Sequence, residues 1–336
     1  MVLVTVNHRL GPFGYLAHPL LSEESGYGGS GNYGQMDLVA ALQWVQENIA
    51  AFGGDPDNVT IFGESGGGGK VHYSLASPMA EGLFHKAVVQ SSRYISPELQ
   101  RSQAEAEAMG EAFADALGVA DEADVLAAMR GMSWLEILEA AEGVLYSIPN
   151  VDGRYLPDTM RNIFESGQQN DVPVMEGVTR QDDPFIVKTH KEEMDWMAGN
   201  FDSGIYSYIF SHVPSQWAAR GVGAYHGIEL VYLFNDPSSF YSHYLLGMPG
   251  LPVDYSIPPA ELIDSTGYGA EDAQLADDVM RLWTQFAKTG DPAVDGITEW
   301  PVYTASEEAY LEIKPEMEVK YGLEDAFPKT GTFVDS

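Results

Sequence analysis

The residues with the clearest chemical potential are Gly63-Glu64-Ser65-Gly66-Gly67. A β-branched run, 59–62, precedes them, and a helix-compatible stretch towards Ser74 follows. A serine on so tight a strand-to-helix turn projects its hydroxyl above a sheet, where it can act as a nucleophile. Gly63 and Gly67 are expected to remove side chains that would clash where strand and helix approach. The Gly66 amide would then point to where an oxyanion forms. The competing readings are an ordinary glycine-rich turn and a phosphate loop. Lys70 is followed by valine, however, and the glycine spacing does not fit G-x-x-x-x-G-K-S/T.

A serine hydroxyl needs a base to take its proton, and the base needs a carboxylate to orient it. The histidines available are His8, His18, His72, His85, His190, His212, His226 and His243. None forms an H-E-x-x-H pair or another close cluster with carboxylates, which disfavours zinc hydrolysis. The chain has no cysteine, which excludes disulfides, thiolate metal sites and a cysteine nucleophile. No cofactor and no metal are expected.

These residues must be positioned by elements that the pattern outlines. Val2–Val6 reads as a buried strand instead of a targeting segment, because its apolar run is short and ends in Asn7-His8-Arg9. Further strands are expected at 59–62, 85–91, 172–178, 206–210 and near 310–313. Amphipathic helices are expected at 35–49 and 271–287. Between 98 and 142 the pattern changes to acidic, alanine-rich helices at 100–117, 122–129 and 133–141. Strands alternating with helices imply a mainly parallel sheet covered on both faces, an α/β fold. The stretch 98–142 is then a helical excursion within one domain spanning 1–336, since no linker composition divides the chain.

The 336 residues include 50 acidic and 17 basic ones, a net charge of −33. Nucleic acid and anionic membrane are unlikely partners for such a surface, since both need positive charge. No apolar run is long enough for a membrane helix. The acidity reads as a solvated surface, or as adaptation to high salt, where counterions screen self-repulsion.

Beyond the serine turn, longer stretches become recognisable. They are Asn7-His8-Arg9-Leu10-Gly11-Pro12-Phe13-Gly14, Gly31-Asn32-Tyr33-Gly34 with Asp37, and LQWVQENIAAFGGDPDNVTIFGES from Leu42 to Ser65. Ala76-Ser77-Pro78, Gly82-Leu83-Phe84-His85 and 286–292 add to them. Together they resemble the type B carboxylesterase family, which includes the cholinesterases, over nearly the whole chain. The resemblance implies an α/β-hydrolase fold and a Ser–acid–His chain order, leaving His72, His85, His190, His212, His226 or His243 as base. His226, in Gly223-Ala224-Tyr225-His226-Gly227-Ile228-Glu229, resembles the family's His-Gly-x-Glu loop. The segment 177–185 resembles the strand-end loop where Glu-Gly is usual. Aligning its glycine and phenylalanine places the acid at Asp182, with Asp183 the alternative. An aspartate can serve if the backbone offsets its shorter arm.

Glu64 and Glu229 match further carboxylates of the family that could raise the basicity of the site and order water. Arg93 stands where a small residue is common, and could pair with Glu64 or Glu229 or face solvent. Arg9 and Asp37 match a structural ion pair. The family's first strands, and a glycine-rich loop that supplies oxyanion-hole amides, are absent ahead of Val2. The glycine-rich 27–31 reads as a mobile surface loop and not as a replacement. Asp182 and His226 stand only 44 positions apart, so a gorge-lining helical segment is expected to be missing between about Lys191 and Asp202.

The resulting expectation is a serine carboxylester hydrolase acting on small esters through an acyl-enzyme. Ser65 would attack, His226 move the proton, Asp182 orient His226, and Gly66 N–H stabilise the oxyanion. The alternative is a non-catalytic relative serving as an interaction module. Peptidase or lactonase activity from the same residues is a third reading.

Overall fold

The computed structural model describes residues 1–92, 100–142 and 148–327. They fall into two compact units. The first comprises Met1–Asp57, His72–Phe84 and Tyr94–Asn170, and the second Asn58–Val71, His85–Arg93 and Asp171–Ser336. Among the described residues the strands are β1 (Thr60–Glu64), β2 (Lys86–Gln90), β3 (Arg101–Ser102), β4 (Asn150–Val151), β5 (Val174–Thr179), β6 (Ile205–Phe210), β7 (Tyr310–Ile313) and β8 (Glu318–Lys320).

The second unit holds a six-stranded sheet in the order β1-β2-β5-β6-β7-β8. All neighbours are parallel except β7 and β8. β6, IYSYIF, is buried along its whole length, as expected for a strand covered on both faces. Tyr206, Tyr208 and Phe210 point one way into an aromatic core. There Tyr206 packs on Phe286 and Tyr208 on Trp283, both from helix Ala270–Thr289. That helix buries Leu275, Val279, Leu282, Trp283 and Phe286, the one-sided stripe of a 3.6-residue period. Ser207 points the other way, where helix Pro184–Asn200 reaches it through His190 Nε2, 3.1 Å from Ser207 Oγ. The sheet therefore has helices on both faces.

The first unit carries the acidic helices at Gln103–Ala116, Val125–Gly131 and Trp134–Ala140. The first and last of these open with capping boxes, Ser102 with Glu105 and Ser133 with Glu136. Its core gathers Tyr15, Leu16, Phe113, Val119, Met129 and Ile137. The pair β3–β4 was not legible in the sequence, being two residues long on each side.

Two sequence expectations are corrected here. Val2–Val6 forms no strand, and Leu3 and Val6 are 52% and 41% exposed. An apolar β-branched run becomes a strand only where a neighbour accepts its N–H and C=O groups. Among the described residues no strand pairs with it. The second correction concerns 27–31, which is not a mobile surface loop: Gly29, Ser30 and Gly31 are buried. Asn150 Nδ2 donates to Ser30 O at 3.1 Å, and Asn32 and Asn150 exchange two further hydrogen bonds. The Arg9–Asp37 pair is present, with Nη2 2.7 Å from Oδ1 and the Arg9 amide also bonded to Asp37.

Candidate active site

Ser65 sits between the end of β1 and the start of helix Gly66–Ala76 with φ at +56°. A non-glycine residue pays for that left-handed conformation and holds it only where the surroundings enforce it. Here the Ser65 amide is bonded to Gln90 O of β2 at 2.8 Å. The close approach expected around the turn is real, but its glycines are Gly63 and Gly68. A Cβ at Gly63 would lie 2.4 Å from the Gly67 carbonyl carbon, and one at Gly68 2.8 Å from Ser92 Cβ. A Cβ on Gly67 would meet nothing within 4 Å, so the crowding falls on its backbone. Gly66 is the first residue of the helix, and first-turn amides have no partner within their own helix. Its N–H is therefore available to an anion.

Asp182 lies just beyond β5, buried, with Oδ1 2.7 Å from His226 Nδ1. Its other oxygen accepts the Thr179 amide and hydroxyl, both at 3.1 Å. Burial pushes the Asp182 carboxyl up, but the His226 hydrogen bond and charge outweigh it and hold it below the ordinary range. Asp183 is engaged otherwise. It caps helix Pro184–Asn200, accepting the Phe185 amide at 2.8 Å, with Pro184 in the first turn. The Asp-Asp-Pro sequence thus combines a carboxylate facing histidine with a helix start.

His226 Nε2 is 3.1 Å from Glu64 Oε1. Among the described residues no hydrogen bond joins it to Ser65 Oγ, although Ser65 adjoins Glu64. Burial lowers the His226 pKa, yet Asp182, Glu64 and Glu229 together push it up to about 9. Burial likewise pushes Glu64 up to about 7. Glu229, fully buried, is pushed up to about 8 by burial and by Glu64 and Asp182. Gln90 Nε2 donates to Glu229 Oε1 at 3.3 Å. Three carboxyls around one imidazole cannot all be charged at low cost, so the cluster retains protons. Arg93 lies outside the described residues.

Three other histidines that follow Ser65 are occupied elsewhere. His85 Nδ1 accepts the Val59 amide, and His190 is fully buried against Ser207. His212 pairs with Asp272 at 2.7 Å, but that acid follows its histidine in the chain, opposite to the expected order. Sequence reasoning missed Gln90, a polar residue ending an apolar strand, and Thr179 and Gln181 beside the acid. Among the described residues no cluster of three His, Asp or Glu is arranged to hold a metal ion. No helix of the described residues is long and apolar enough to cross a membrane.

The chain matches the carboxylesterase family over residues 1–203 and 185–329. It belongs to the carboxylesterase family. It is 30% identical to para-nitrobenzyl esterase of Bacillus subtilis (strain 168), over 98% of this chain and 74% of that protein. It is 29% identical to carboxylesterase 5A of Felis catus, over 97% and 67%. Acetylcholinesterase of Bungarus fasciatus is 25% identical over 94% of this chain, which spans 61% of that relative. A solved structure of PNB esterase, 23% identical, aligns with a TM-score of 0.73 over 96% of this chain and 73% of that one. The sheet is thus that of an α/β-hydrolase. The two matched stretches of this carboxylesterase overlap at 185–203, the region where a gorge-lining segment was expected to be missing. Carboxylic ester hydrolysis, the class that the family resemblance implied, is the chemistry of the family.

Proposed function

We propose that the chain is a serine hydrolase of small carboxylic esters that works through an acyl-enzyme. The observation that carries this reading is the 2.7 Å Asp182–His226 hydrogen bond. Its imidazole is turned towards Glu64, the chain neighbour of a serine held at positive φ. Ser65 Oγ attacks the ester carbonyl carbon while His226 takes its proton. Asp182 stabilises the imidazolium, and Gly66 N–H donates a hydrogen bond to the oxyanion. Collapse breaks the ester C–O bond, and His226 returns the proton to the departing alkoxide. Water, deprotonated by His226, then attacks the acyl-enzyme, releasing the carboxylic acid and restoring Ser65. Relatives named para-nitrobenzyl esterase and acylcarnitine hydrolase support an acyl bond as the target.

For this cycle His226 Nε2, which faces Glu64, must engage the Ser65 hydroxyl, a contact of the kind that substrate binding completes in many resting enzymes. The test is a fluorophosphonate followed by mass mapping, with an adduct expected on Ser65. The same observation, Nε2 on Glu64, favours a second reading, a non-catalytic module. A folded sample that forms no adduct, or forms it elsewhere, selects that reading.

A further inference from the structure

Gln181 stands between Arg180 and Asp182, yet its hydrogen bonds run to the loop that carries His226. Its amide donates to Ala224 O at 3.0 Å, and its Oε1 accepts the Ala224 amide at 2.6 Å. Both polar backbone groups of Ala224 are therefore held by one residue. An isolated parallel bridge links Gln181 with Tyr225 alongside them. Gly223 leaves the space this arrangement needs, since a Cβ there would lie 2.6 Å from Gln181 Cγ and 2.9 Å from its Oε1. The acid follows Gln181 by one residue, and the base follows Ala224 by two.

That placement answers a problem posed by the acid itself. Aspartate is shorter than glutamate by one methylene, a bond length of about 1.5 Å. With the arm shortened, the two loops must come closer by a similar amount for a carboxylate to reach Nδ1. Thr179 holds Asp182 from its own side and contributes nothing across the gap. In this part of the site the contacts that cross from loop to loop are the Asp182–His226 bond and the Gln181–Ala224 pair. The clamp joins the main-chain N–H and the side-chain Oε1 of Gln181 to the two main-chain polar groups of Ala224, and Gln181→Ala removes the Oε1 half of it.

We propose that Gln181 is a positioning residue. Its paired hydrogen bonds to Ala224 draw the acid and base loops together by the methylene that Asp182 lacks, and so set the Asp182–His226 bond. The proposal rests on the reading of Asp182 and His226 as acid and base of an esterase. Gln181 touches no substrate and acts only through that pair.

The experiment uses four full-length proteins: parent, Gln181→Ala, Asp182→Glu, and the double variant, each checked for folding by circular dichroism. Gln181→Ala should lower kcat on p-nitrophenyl acetate on the order of 10²-fold, the scale of a 1 Å misplacement, with KM little changed. Asp182→Glu should lower activity in the parent, where the longer arm is crowded, but restore a large part of kcat in the Gln181→Ala background. A residue with only a structural role would show no such rescue. Gly223→Ala, which pushes on the Gln181 side chain while keeping its amide oxygen, should reproduce the loss. Folded Gln181→Ala with kcat within about twofold of the parent would overturn the proposal, as would purely additive losses in the double variant.

A second readout separates this proposal from the hydrolase reading. The low-field proton NMR resonance of His226 Nδ1–H reports the hydrogen bond to Asp182 whether or not any ester is cleaved. It should weaken or move upfield in Gln181→Ala. If the parent cleaves no ester but shows the resonance, and Gln181→Ala loses it, the clamp stands and the hydrolase reading falls. A resonance unchanged in Gln181→Ala sinks the clamp.

Discussion

Glu64→Gln should move the acid limb of the pH–rate profile downward by at least about one unit. The variant keeps the shape of Glu64 and deletes its charge, which lies 3.1 Å from His226 Nε2. His226 is a base only when neutral, so activity rises as pH climbs through its pKa, and kcat/KM reports that pKa for the free enzyme. A unit charge at 3.1 Å favours the imidazolium by about 1.3 kcal/mol when fully screened by water, and by about 5 kcal/mol at a surface-protein dielectric. The lower figure is the minimum, because the His226 and Glu64 side chains are only 28% and 18% exposed and water screens them incompletely. Burial also pushes Glu64 up to about 7, so it carries full charge only above that pH. A screened 1.3 kcal/mol corresponds to about one pKa unit. The assay is kcat/KM on p-nitrophenyl acetate against pH, parent and variant side by side. An acid limb that stays in place, or moves up, would refute the idea that Glu64 holds the proton on His226.

Asp182→Asn should lower kcat by about 10⁴, the loss known for a wrong histidine tautomer, whereas Asp183→Ala should spare kcat and cost about 1 kcal/mol of stability in urea titration as a lost helix cap. Phe286→Ala should cost about 3–5 kcal/mol in the same titration, because Phe286 is fully buried against Tyr206. Thermal melting should occur at higher temperature in molar salt than in dilute buffer, since a charge of −33 repels itself most when screening is weak. An unchanged midpoint would mark the acidity as a solubility feature.

The legible parts of this fold were those whose pattern and environment agree. β2, β5, β6 and β7 are apolar runs, and burial covers each of them fully. Helix Ala270–Thr289 announces itself by spacing and by Gly290 at its end, with φ at +82°. Val2–Val6 carries the same pattern and fails, because periodicity describes a chain's own side chains and not the neighbour that must complete a ladder. Helix Pro184–Asn200 was obscured for a different reason: its start signal, Asp183-Pro184, falls inside the segment compared with a Glu-Gly loop.

The site was legible to the depth at which chemistry fixes residue type. A nucleophilic serine needs a tight turn, and the glycines around Ser65 advertise it. What the sequence could not reveal is the division of labour among the carboxylates. Asp182 and Asp183 are adjacent and alike in type, yet one meets His226 and the other caps a helix. Their difference lies in backbone direction, set by Pro184 on one side and by the Gln181–Ala224 pair on the other. Glu64 and Glu229 pose the same problem in electrostatic form. As free carboxyls both would ionise well below neutral pH, but burial, with the Asp182 charge behind it, pushes Glu64 to about 7, and burial with the Glu64 and Asp182 charges pushes Glu229 to about 8. The protons of the cluster are therefore shared among Glu64, His226 and Glu229, from two separate stretches of sequence. Changing any one carboxyl should move the titration of the others as well. Glu64→Gln should accordingly lower the apparent pKa of Glu229, since after burial the neighbouring Glu64 charge is what disfavours its ionisation. In the Glu64→Gln background, a further change at Glu229 should shift the acid limb more than it does in the parent, because Glu229 carries more of the charge once Glu64 is neutral. Equal shifts in both backgrounds would mean that the two carboxyls titrate independently, and the shared-proton account would fail.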